Sequence, residues 1–195
     1  MNKPRPWVIA LAGPNGAGKT TAGPLLVRDA LGVLEYVDAD AIARGLSAFG
    51  PEGAAIAAGR VMLKRLRDLG RAGSSFAFES TMASRTFAPW IADLVQEGYA
   101  FCTIFLWLPS SDLAVLRVRE RVSMGGHNIP EPDVRRRYER GVRNFFQLYR
   151  PLATTWRVYD NSGASPSLVA SGGGSGEVIS QTATWGRICE QVERA

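Results

Sequence analysis

The chain has 195 residues, enough for one domain with a sizeable core. Hydrophobic residues make up 46% and charged residues 21%, the values of an ordinary globular protein, and no apolar run is long enough to cross a bilayer as a helix. The net charge is +5, carried almost entirely by arginine; with no membrane segment to account for, the expected location is the cytoplasm.

The opening MNKPRPW is basic, but WVIALAG is too short for a signal core and runs into a glycine loop rather than a cleavage site. WVIALA (7–12) reads as a buried parallel strand ended by Gly13. A helix is predicted over Lys19–Leu31, with Pro24 distorting its second turn. LEYVDA (34–39) is a second strand. Pro51–Leu69 follows as a long helix with Ile56, Met62, Leu63, Leu66 and Leu69 on one face. SFAFES (75–80) is a third strand, and Thr86–Glu97 a helix interrupted early by Pro89. AFCTIFLWL (100–108) is a fourth strand, and the most apolar. Ser111–Val122 is a helix that Ser110 or Ser111 caps.

SMGGHNIPEP (123–132) is too rich in Gly and Pro to be regular, and Asp133–Leu148 is a second arginine-rich helix. WRVYDN (156–161) is a fifth strand, SLVASGGGSGEVIS (167–180) a hairpin across a glycine-serine turn, and Thr182–Val192 a closing helix. The two cysteines, Cys102 and Cys189, have no metal or redox spacing, and Cys102 reads as a buried core thiol. The alternation predicts a single α/β domain over 1–195: a three-layer sandwich with a mainly parallel sheet of about five strands. Ligands then belong at the carboxyl ends of the strands.

Gly13-Pro14-Asn15-Gly16-Ala17-Gly18-Lys19-Thr20, followed by Thr21, fits the phosphate-loop pattern G-x-x-x-x-G-K-[ST]. Glycines let backbone N–H groups turn inward around phosphate oxygens, and the next helix offers its positive end to the anion. Lys19 then reaches the β- and γ-phosphates, and the Thr20 hydroxyl sits on Mg²⁺. The context, a buried strand before and a helix after, points to a bound nucleotide, with ATP and Mg²⁺ as the expected cofactors.

Asp38 and Asp40 lie at the end of the second strand, where one reading is a helix N-cap before AIARGL. The other is a carboxylate opposite the phosphate loop that takes the proton of an acceptor hydroxyl, a role that falls to Asp40. Glu79 ends FAFE, an apolar run followed by an acid of the Walker B kind, and is a candidate for Mg²⁺ beside Thr20; otherwise it is a buried Glu satisfied by backbone donors. Ser80, Thr81, Ser84 and Arg85 add hydroxyl and cationic groups at the same strand end, a cluster suited to substrate.

The arginines are unevenly spread: Arg117, Arg119, Arg121, Arg135, Arg136, Arg137, Arg140 and Arg143 fall in one segment. Arg117 and Arg121 share a helix face, as do Arg136 and Arg140. With no recognisable nucleic-acid module, nucleic acid is the weakest of the partner readings; a lid over about residues 117–143 whose arginines clamp nucleotide phosphates is the stronger one. His127, the one histidine, reads as a turn or ligand-touching residue and not as a base.

With GPNGAGKTT, VDADAIARGL, FAFESTMASRTF, GYAFCTIFLWL, RVRERVSMGGHNIPEPDVRRRYERGVRNFFQLY and WRVYDNSG in place, the chain resembles the zeta-toxin family of P-loop kinases. It resembles more closely that family's non-toxin relatives described as predicted ABC-type ATPases, although it lacks an ABC signature such as LSGGQ. Zeta toxins phosphorylate the sugar of UDP-N-acetylglucosamine. The resemblance implies Asp40 as the acceptor-activating base, Glu79 and Thr81 in the substrate and metal region, and Arg121 and Arg136 as phosphate clamps. Ser80 replaces the glycine of the toxins' E-G-T motif, and the arginine after it is displaced to Arg85. A small-molecule acceptor is therefore implied, a nucleotide sugar being one candidate, while toxicity and a protein antitoxin do not follow. The competing expectation is a regulatory P-loop NTPase that binds or slowly hydrolyses ATP without an acceptor.

Overall fold

The computed structural model describes residues 5–29, 32–47, 53–126, 128–174 and 176–194. Its centre is a seven-stranded sheet in the order β2-β3-β1-β4-β5-β6-β7. The strands are β1 (Trp7–Ala12), β2 (Tyr36–Val37), β3 (Phe76–Ser80), β4 (Ala100–Trp107), β5 (Thr155–Asp160), β6 (Ser167–Gly173) and β7 (Gly176–Ile179). The first five pair in parallel, and β6 and β7 are antiparallel. The sheet thus has seven strands where about five were expected. The reason is that the 167–180 hairpin is not an appendage: β6 pairs with β5 from Thr155↔Gly173 to Asp160↔Ser167 and covers that strand's open edge.

Both faces of the sheet are buried, which explains the unbroken apolar runs. Val8, Ala10, Phe76, Phe78, Phe101, Phe105 and Trp107 face one core, against Met62, Leu66, Ile91 and Ile188. Ile9, Leu11, Ile104 and Leu106 face the other, against Val115, Val118, Val134 and Tyr138. The helices that supply these partners are α1 (Lys19–Gly23), α2 (Ala39–Leu46), α3 (Ala55–Arg71), α4 (Phe87–Gln96), α5 (Ser111–Ser123), α6 (Glu131–Asn144) and α7 (Thr182–Arg194).

Several expectations change in detail. The helix after the phosphate loop is α-helical only to Gly23 and continues as a π-turn over Pro24–Asp29. Pro24 has no N–H to continue the α-ladder, so the hydrogen-bond register shifts there. The expected end of that helix at Leu31, and the start of the next at Pro51, lie outside the described residues. Pro89 does not interrupt α4: it is the third residue of the helix, where no intrahelical N–H bond is required. Ile56 is 74% exposed and not on the buried face of α3, which is made by Met62, Leu66 and Leu69. Ser110 caps α5, its side chain accepting from Leu113 N at 3.2 Å.

Candidate active site

The strand order puts the carboxyl ends of β1 and β3 side by side, with Leu11 opposite Glu79 and Ala12 opposite Ser80. The phosphate loop leaves β1 at Gly13, whose φ is +142° and whose added Cβ would lie 2.3 Å from Leu106 O. Only glycine fits that corner. Gly18, at φ +77°, has Asn161 Nδ2 2.7 Å from where its Cβ would be. The same Asn161 amide donates to Ala17 O at 2.7 Å, and Arg117 donates to Asn161 O and Ser162 O at 2.7 and 2.8 Å. The loop is therefore braced from the end of β5 and from α5, contacts that no motif in the sequence announced.

Lys19 Nζ donates to Gly13 O and Pro14 O, both at 2.9 Å, so its ammonium lies across the loop. Burial lowers its pKa, and the nearby Glu79 and Asp40 carboxylates pull the other way. Asn15 is 8% exposed, and its Oδ1 has no hydrogen-bond partner among the described residues.

Beside the loop is a cleft of about 470 Å³. Asn15, Gly16, Gly18, Lys19, Thr20 and Thr21 line one side; Asp38, Asp40, Glu79, Ser80 and Thr81 line another; Arg117, Arg121 and Arg137 close it from α5 and α6. Both readings of the aspartates have a place. Asp38 is the N-cap of α2 and accepts from Asp40 N at 2.9 Å, which frees Asp40, in the first turn, to line the cleft. Glu79 accepts from Tyr36 Oη at 2.7 Å and from Thr20 Oγ1 at 3.5 Å. Burial pushes the Glu79 carboxyl above its ordinary range, while the Lys19 charge and the two hydroxyls hold it down. Tyr36 was missed in the sequence. It pairs with Ala77 on the neighbouring strand, a register no local pattern gives, which puts it diagonally across from Glu79.

After Glu79 the chain makes a tight turn. Ser80 Oγ accepts from Met82 N at 3.0 Å, and Thr81 Oγ1 from Ala83 N at 3.4 Å. Met82 is buried at φ +54°, a left-handed conformation unusual for a side-chain-bearing residue. The turn is held from α6: Asn144 Nδ2 donates to Met82 O at 2.8 Å, and Gly141 backs directly onto Thr81 O.

Two expected residues lie elsewhere. Arg136 is not among the cleft residues; it is half exposed and paired with Asp133 at 2.7 Å on its own helix. Its neighbour Arg137 takes the inward place, because α6 buries Val134, Tyr138 and Gly141, and 137 flanks that face. Arg85 lies in a separate cavity with Arg140 and Arg143. The other segment arginines stitch the two helices together: Arg119 pairs with Glu131, and Arg135 with Asp112 and Glu131. His127 lies outside the described residues. No helix among them is long and apolar enough to cross a membrane.

No family model matches the chain. A protein of Haemophilus influenzae, described as uncharacterized, is 27% identical over 143 residues, which are 71% of this chain and all of that one. Among solved structures, the AvrRxo1-ORF1:AvrRxo1-ORF2 complex with sulphate ions contains a chain that superposes with a TM-score of 0.76 at 14% identity. The match covers 94% of this chain and 63% of that one, so this chain spans less than two thirds of its length. The same complex with ATP gives 0.72 at 15% identity. A structure from the PezAT toxin-antitoxin system of Streptococcus pneumoniae gives 0.64 at 17% identity, covering 88% of this chain and 73% of that one. At these identities the likeness speaks for architecture alone: the chain shares the α/β fold of those structures, and its phosphate loop follows the first strand of the sheet.

Proposed function

We propose that the protein is an ATP-dependent phosphotransferase that moves the γ-phosphoryl group to a hydroxyl of a small molecule. The observation that carries this reading is one cleft in which a phosphate loop, a carboxylate suited to a base and three arginines face one another. Two of the superposing structures are complexes with sulphate ions or with ATP, which supports a nucleotide as the ligand.

Lys19 and the loop amides bind the β- and γ-phosphates. Thr20 and Glu79, 3.5 Å apart, fit a Mg²⁺ ion that arrives with the nucleotide. Among the described residues no group of three or more His, Cys, Asp or Glu could hold a metal, so Thr20 and Glu79 would hold the ion only together with the nucleotide. That ion supplies neutralisation of charge on the transferring group. Asp40 accepts the proton of the acceptor hydroxyl and orients its oxygen toward the phosphorus. Arg121 and Arg137 stabilise the charge gathering on the equatorial oxygens. The acceptor lies against Ser80 and Thr81, which line the same cleft.

Incubation of the protein with Mg-ATP and a fractionated metabolite extract tests the reading. It predicts one small molecule gaining the mass of a phosphoryl group, absent with Lys19→Ala. Release of ADP and phosphate alone, with no phosphorylated product in any fraction, favours the regulatory NTPase instead.

A further inference from the structure

Behind the turn that follows Glu79 lies a second cavity, of about 550 Å³, which the phosphotransfer reading does not use. Arg85 enters it from the turn; Arg140, Arg143, Asn144 and Gln147 enter it from α6 and the π-turn that extends it to Tyr149. The spacing 140, 143, 144 and 147 is one helical face, so the four side chains converge by construction. No carboxylate lines the cavity.

Its three guanidinium groups differ from the other arginines of the segment. Arg119, Arg135 and Arg136 each have an acid partner, and Arg117 is satisfied by carbonyls. Arg85, Arg140 and Arg143 have no acid partner among the described residues, and Arg143 Nε is buried with no hydrogen-bond partner there. Three like charges line one hollow, and one of them has a buried donor unmet, an arrangement that an anion would complete. Arginine's planar fork matches phosphate geometry, and the Gln147 amide adds a neutral donor.

We propose that this pocket binds a phosphate group, free or carried by a small molecule, at a site separate from the phosphate loop. The ligand would touch Ser84 and Arg85, on the same short turn that presents Ser80 and Thr81 to the first cleft. Because Asn144 lines the pocket and also holds Met82 O, occupancy would fix the turn from behind. The inference stands whether or not the first cleft transfers phosphoryl groups.

Calorimetric titration with inorganic phosphate tests it on four proteins: wild type, Lys19→Ala, Arg140→Gln/Arg143→Gln, and Arg85→Gln. The expected result is binding that survives Lys19→Ala, weakens about tenfold in Arg85→Gln and is lost, by more than about a hundredfold, in the double variant. Thermal unfolding of each variant in buffer without phosphate checks that it is folded, and the single Arg85→Gln change on an exposed turn keeps the test open if the double variant is not. Binding lost in Lys19→Ala and kept in the arginine variants would assign the anion to the phosphate loop and overturn the proposal. Failure of wild type to bind phosphate at millimolar concentration would overturn it as well.

Discussion

Gly141→Ala separates two opposing energies in one substitution. Gly141 is buried within α6, and alanine there improves helix propensity by about 1 kcal/mol. The new Cβ, however, would lie 2.4 Å from Thr81 O, and the obstacle is backbone rather than a movable side chain. Overpacking costs about 1–3 kcal/mol, and the upper end applies here because Met82, next to Thr81, is already left-handed and tied to Asn144. The net expectation is a loss of about 1–2 kcal/mol, or about 2–8 °C in Tm for a domain of this size. Gly59→Ala in α3 and Gly186→Ala in α7 are matched controls, since nothing lies within 4 Å of either added Cβ. They keep the propensity gain without the clash and should raise Tm by about 1–4 °C. Differential scanning calorimetry of the three variants reads the signs. If Gly141→Ala stabilises as the controls do, α6 does not press on the turn after Glu79, and the account of how that turn is held is wrong.

Glu79→Gln should gain stability relative to wild type as pH rises. Burial raises the Glu79 pKa, so the native state keeps its proton where the unfolded chain has lost it, and stability falls as pH climbs through that window. Glutamine has no such slope; urea unfolding at pH 4 and pH 7.5 should show the difference between the two proteins growing, and a constant difference would refute the shift. Arg150→Ala should destabilise by about 1–2 kcal/mol, because Arg150 stacks 4.5 Å from the Trp156 ring centre, lies near Phe146 and Trp185, and ties Glu177 of β7 to the core. An unchanged midpoint in tryptophan-monitored thermal unfolding would show that the hairpin is held by other contacts. Lys19→Ala should weaken ATP binding and lower any phosphoryl transfer by about a hundredfold or more, read by equilibrium binding and by product formation; equal affinity in wild type and variant would remove Lys19 from the phosphate site.

Much of the fold was legible because local and global signals agree. The parallel strands are apolar runs closed by turn residues, as at Gly13, and their helices follow at the expected spacing. The hairpin was legible as a hairpin, but its joining the sheet was not, since edge pairing depends on β5 being open rather than on anything in residues 167–180. Pro89 misled because a proline's effect turns on its distance from a helix start, which pattern alone places only within a few residues. At the candidate site, the phosphate loop, Asp40 and Glu79 could be located from strand ends. The choice between Arg136 and Arg137 could not: one residue rotates a side chain by 100°, and the phase of α6 is set by Val134 and Tyr138 meeting the second core. Tyr36 and Asn161 act through partners far apart in sequence, so only the folded chain brings them to Glu79 and the loop.

The central claim is that Asp40 serves phosphoryl transfer to a hydroxyl in the cleft that Lys19 and Thr20 share. The most direct measurement is the single-turnover rate of transfer from ATP to the identified acceptor by wild type and Asp40→Asn, with ATP affinity measured alongside. The account predicts a rate lower by about 10²- to 10⁴-fold with ATP affinity unchanged. A variant that transfers the phosphoryl group as fast as wild type would contradict it.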